Sequence, residues 1–233
     1  YWKTGRADDA LAAYHSALQA FPNYYAAWAG IGWIESAHNH VKEAIAAYLK
    51  AQATVPMPEY AEALEDLYTR SGNLGSAKQQ RELIDAIEIT MQASGEQTNR
   101  NMALLYANQN RNLVRAEELV ENEIKVRPDV YTHDALAWVL FRLGRLDEAA
   151  KASEIALSRG TPEPLFHFHA AMIDDARGRK NEAAQELSKA MALNPEWDFE
   201  QCALARKITQ SATSLSSSSH VKVLESHLKG LTE

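Results

Sequence analysis

A repeating pair of turn markers restricts this chain more than any other feature. Gly144 precedes Ala149 by five positions, and Gly178 precedes Ala183 in the same way 34 positions later. The spacing recurs at Arg111 and Ala116, 33 positions before Gly144, and at Gly72 and Ala77, 39 positions before that. It recurs again at Asn39 and Ala44 and at Gly5 and Ala10, in steps of 33 and 34. Pro22, Pro56, Pro128 and Pro195 each follow the marker of their own copy by 17 positions. Such a period is too long for one helix or strand. Each copy must be a supersecondary unit whose apolar face is covered only by its neighbours.

The unit reads most clearly between Val130 and Thr161. Ala135, Leu136, Trp138, Val139, Leu140 and Phe141 carry one helical pattern, and Ala149, Ala150, Ala152, Ile155, Ala156 and Leu157 carry another. Gly144 ends the first, because glycine accepts the left-handed capping conformation. Asp147 and Glu148 suit the start of the second, where the helix dipole favours negative charge. The remaining copies carry further marks. Trp28, Ile31, Gly32, Ala44, Tyr48, Ala51 and Pro56 stand in one copy. Gly178, Ala183, Leu187, Ala190 and Pro195 stand in another, and Gly5, Ala10, Tyr14, Ala17 and Pro22 in the back half of a third. With the period, these residues resemble the tetratricopeptide repeat over about residues 1–195. The resemblance implies an all-α fold, a right-handed superhelical solenoid of antiparallel helix pairs.

On this phasing, residues 1–210 form one repeat domain: a partial first unit, about five full units and a capping helix. The chain opens in phase at the end of a first helix, so residues before Tyr1 are expected to be missing from the numbering. The second helix of unit three departs from the pattern at Arg81 and Asp85 and runs some five residues long, which predicts an extended helix or a loop, or else an adaptor surface. Residues 211–219 are serine-rich and read as a linker. In residues 220–233, Val221, Leu224, Leu228 and Leu231 share one helical face, which suits docking on the solenoid or on another chain.

The formal charge is -7 with no basic run, which argues against nucleic acid as a main partner. No apolar stretch is long enough to span a bilayer. The lone Cys202 excludes an internal disulfide and leaves the compartment open, with the cytoplasm favoured. His167 and His169 point in different directions on a helix, and no phosphate loop, HExxH or nucleophile elbow is present. The expectation is a non-enzyme with no cofactor or metal.

In the resembled family the first helix of each pair lines the concave wall and holds a peptide. Carried across residue by residue, the inner positions with binding chemistry are Trp33, Arg70, Asn101, Asn108, Tyr131, Trp138, Phe141, Arg142, Phe168 and Met172. The aromatics and Met172 offer apolar area, which they bury at low entropic cost, or else pack between helices. The asparagines suit a peptide backbone and the arginines a carboxylate. The carboxylate clamp of some family members needs basic residues on successive inner faces, and Trp33 and Asp66 stand there instead. Two functions fit. One is a scaffold that binds a protein or peptide, the chain's own C-terminal segment in cis or trans included. The other is a structural or self-assembly module attached to a functional domain outside this chain.

Overall fold

The computed structural model describes residues 1–95 and 99–210. The serine-rich stretch and the amphipathic C-terminal segment lie outside the described residues. The described chain is an all-α solenoid of paired antiparallel helices. A short 3-10 turn, Trp2–Thr4, leads into α1 (Ala7–Ala20). Five hairpins follow: α2 (Tyr25–Ala37) with α3 (Val41–Thr54), α4 (Pro58–Arg70) with α5 (Leu74–Ala93), α6 (Arg100–Asn108) with α7 (Leu113–Val126), α8 (Val130–Arg142) with α9 (Leu146–Leu157), and α10 (Pro164–Ala176) with α11 (Lys180–Leu193). A last helix, α12, spans 199–210.

The helix limits follow from local chemistry. Gly144 (φ 77°) and Asn39 (φ 61°) take the left-handed conformation that closes their first helices. Unit four solves the turn differently. Its left-handed residues are Asn110 and Asn112, on either side of Arg111, the marker expected from the phasing. The two asparagines absorb one extra residue and return Ala116 to register. Pro58 and Pro164 occupy first turns, where the missing N–H costs nothing. Asn73, Asn99 and Asp129 accept hydrogen bonds from Ser76, Met102 and Thr132 backbone N–H groups, capping α5, α6 and α8.

The long second helix of unit three is one continuous helix of 20 residues. Its two departures from the pattern are ion-pair partners. Arg81 Nε donates to Glu65 Oε1 at 2.7 Å, and Asp85 accepts from Arg111 of the next unit at 2.8 Å. Glu65 is 5% exposed and also accepts from Gln109. A buried carboxylate demands such partners, which is why a polar residue replaces an apolar one at position 81.

Each first helix packs most closely on the second helix of its own unit. First helices also touch one another in series, α4 on α6, α6 on α8 and α8 on α10. Among the described residues no series of comparable contacts joins the second helices, so the first helices form the tighter, inner wall. The close approach is built from small residues. A Cβ on Gly30 would stand 2.2 Å from Tyr14 Cζ, and one on Gly32 would stand 2.8 Å from the Tyr48 ring. The largest apolar cluster joins Leu105, Tyr106, Trp138, Val139, Phe168 and Leu187 with Trp197, just before α12, and with Cys202 and Ala205 within it. Cys202 is 2% exposed and serves as a small core residue.

Candidate functional site: the inner wall

The inner wall holds two groups of the residues singled out from sequence. The first centres on Trp138. Its ring is 7% exposed and lies between Phe141, stacked at 4.9 Å, and His169, stacked at 4.2 Å. Phe168, also buried, tilts against it at 6.3 Å and touches Trp197 at 6.0 Å. The Arg142 guanidinium lies 5.8 Å from the Trp138 ring centre, and its Nε is buried without a hydrogen-bond partner among the described residues. Met172 is half-buried against the same cluster. Trp138 Nε1 donates to Asn108 Oδ1 at 2.9 Å, and Asn108 Nδ2 donates to Glu62 at 3.1 Å. Asn101 donates to Glu59 in the same way, so both asparagines join α6 to α4.

The second group lies near the start of the solenoid. Trp33 is 44% exposed and meets Trp2 edge-on at 6.4 Å. Arg70 donates to Asn39 Oδ1 at 2.6 Å and sits 5.0 Å over the Phe199 ring of α12. Phe199 is itself exposed. Tyr131 stands apart from both groups, half-buried, edge-on to Phe166 and beneath the Lys3 ammonium.

Sequence reasoning missed the buried pair beneath Trp138. Both Asp134 carboxylate oxygens lie 3.0 Å from His169 Nδ1, with Asp134 3% and His169 1% exposed. The two residues stand 35 apart, one more than the period. That offset on neighbouring first helices was the available signal. Of the neighbouring histidines, His167 pairs with Glu186 at 2.7 Å, and His133 Nδ1 is buried without a hydrogen bond among the described residues.

The electrostatics of this wall are set by α4. Burial pushes the Glu62 carboxyl up to about 7, against the opposing hydrogen bond from Asn108, and the nearby Glu59, Glu65 and Asp66 charges add to the rise. Burial likewise raises Asp198, with Asp66 adding to the rise and the Gln201 backbone N–H opposing it. An open cavity of about 670 Å³ separates α12 from the first two units, lined by Arg6, Asp8, His38, Asp198, Phe199 and Arg206 among others. Among the described residues no three His, Cys, Asp or Glu side chains converge in a way that holds a metal ion, and no described helix is long and apolar enough to cross a membrane. What the wall offers is aromatic area, amide groups and carboxylates: binding chemistry.

Residues 1–67 and residues 135–196 each match a tetratricopeptide-repeat family model. The resemblance to that family is therefore carried by two parts of the chain. No functionally curated protein matches this sequence. Among solved structures, a tetratricopeptide repeat protein from Parabacteroides merdae aligns with 18% identity and a TM-score of 0.45, covering 88% of this chain and 86% of that one. YrrB, described as a tetratricopeptide repeat protein with an unusual peptide-binding site, aligns with 16% identity and a TM-score of 0.40, covering 84% and 98%. A mutant of MamA aligns with 21% identity and a TM-score of 0.38, covering 73% and 97%. Tetratricopeptide solenoids act in general as protein–protein interaction scaffolds, because stacked pairs present a long curved surface.

Proposed function

We propose that this chain is a non-catalytic scaffold that holds a peptide or a partner segment against its inner wall. The carrying observation is the exposed indole of Trp33, 44% open where the inner aromatics Trp138 and Phe168 are covered. It adjoins Trp2, which in turn meets His38 at the edge of the 670 Å³ cavity. A cavity of that size accepts a short run of side chains. A large aromatic left open beside a cavity is area that a partner buries at little entropic cost.

In this reading Trp33, Arg70, Asn101, Tyr131 and Arg142 touch the partner from half-buried or exposed positions. Trp138, Phe141, Phe168 and Met172 shape the wall from behind, and Trp138 orients Asn108 through its indole N–H. A partner that bonds to Asn101 or Asn108 exchanges with Glu59 or Glu62.

The test is selection from a phage-displayed random peptide library on the immobilised chain, followed by titration of the selected peptides against Trp33→Ala and Arg70→Ala. Loss of affinity by tenfold or more in W33A, with helix content unchanged, is the expected result. Peptides that bind W33A and R70A as tightly as the parent chain refute the assignment.

A further inference from the structure

The two ends of the described solenoid meet. Lys3 donates to Glu163, 160 positions away, and the Asn194 amide, 1% exposed, donates to the Trp2 carbonyl at 2.8 Å. His38 Nε2 lies 3.1 Å from Glu196. Gly5 comes so close to the last unit that a Cβ there would stand 3.3 Å from the Leu193 carbonyl oxygen. The joint is polar. The apolar cluster around Trp2 contains Ala10 and Ile34 and no residue of the last unit.

Nothing local forces this closure. In a solenoid each unit rests on its neighbours, so contact between the first and last units is an added interaction laid over a continuous stack. Each ion pair joins an exposed side chain to a more buried one, Lys3 at 45% with Glu163 at 11% and Glu196 at 52% with His38 at 25%. The solvent-facing side of each pair keeps the joint reversible, and the buried Glu163 carboxylate makes a like charge at position 3 costly. The two faces are complementary, a lysine and an imidazole on one end against two glutamates on the other, and every copy of the chain carries both.

We propose that Lys3, Gly5 and His38 at one end, and Glu163, Asn194 and Glu196 at the other, form a self-recognition surface that a second copy of this chain occupies by reciprocal exchange of ends. Such a two-fold dimer re-forms the end-to-end contacts between copies and takes up the difference in the bend between units, the kind of exchange by which identical chains pair at low cost. At low concentration the intramolecular contact wins through its effective concentration, and the exchanged form gains as the chain becomes more concentrated. This interaction needs no peptide in the groove, so it stands or falls separately from the scaffold reading.

Charge reversal tests it with the full chain. Lys3→Glu and Glu163→Lys each place like charges across the joint. Each variant alone should remain monomeric with a larger radius of gyration by small-angle scattering, at unchanged helix content. Mixed in equal amounts, the reversed charge at position 3 of one copy meets the reversed charge at position 163 of the other. Light scattering should then report a dimer. The K3E/E163K double variant should recover the radius of the parent monomer. A mixture that stays monomeric at millimolar concentration overturns the proposal, as do single variants that keep the parent radius. Should either reversal unfold the chain, K3C and E163C chains carrying C202S answer the same question. Oxidation of the mixture should give disulfide-linked heterodimers, and their absence counts against exchange.

Discussion

Glu62 makes the stability of this chain depend on pH in the direction opposite to that of most carboxylates. Its folded-state value of about 7 lies above the ordinary 4.5, because burial and the Glu59, Glu65 and Asp66 charges penalise the ionised form. The folded chain therefore binds this proton more tightly than the unfolded chain does. The resulting stabilisation is complete below pH 4.5 and is lost as pH rises through 7. At about 1.4 kcal/mol per pH unit the limit is about 3 kcal/mol, and solvent screening of a half-buried side chain brings it to about 2 kcal/mol. Glu62→Gln removes the titration and keeps an oxygen that accepts from Asn108. Urea denaturation of both proteins at pH 5 and pH 8 is the assay. The advantage of E62Q over the parent should be small at pH 5 and grow to about 2 kcal/mol at pH 8. Every other ionisable group is common to both proteins and cancels in the difference. Equal pH slopes for parent and E62Q between pH 5 and pH 8 would show that the α4 wall is better hydrated than its packing implies, and the reasoning fails.

Two further outcomes concern packing. Trp138→Ala removes a ring held between Phe141 and His169 and should cost about 3–5 kcal/mol in guanidinium denaturation, whereas Trp33→Ala should cost less than about 1 kcal/mol. Gly30→Ala drives a methyl group into the Tyr14 ring and should destabilise by about 1–3 kcal/mol. Thermal melts of G30A with and without Tyr14→Ala should then be non-additive, because the second change removes the clash.

The hairpins and their phase were legible because the contacts that make them are local. Gly144, Ala149 and the in-phase prolines report one unit and its immediate neighbour, and a linear pattern can encode such neighbours. Unit three was readable as irregular at Arg81 and Asp85, but not as a pair of ion bridges. Their partners, Glu65 and Arg111, are chosen by the rotation between helices. The phase also proposes a set of inner-wall positions. It does not give their engagement. Asn101 and Asn108 meet glutamates 42 and 46 positions away, and Trp138 lies over a buried Asp134–His169 pair.

By itself, then, the sequence determined a stack of helix pairs, its period and the faces that each pair buries. Tertiary structure alone decided which inner aromatics stay open, since Trp33 is exposed while Trp138 and Phe168 are covered. It alone brought Lys3 to Glu163 and Asn194 to the Trp2 carbonyl. The physical reason is accumulation. Each unit turns slightly on the last, and no single residue carries that rotation. The meeting of the ends is the sum over all units, visible only once the stack is built.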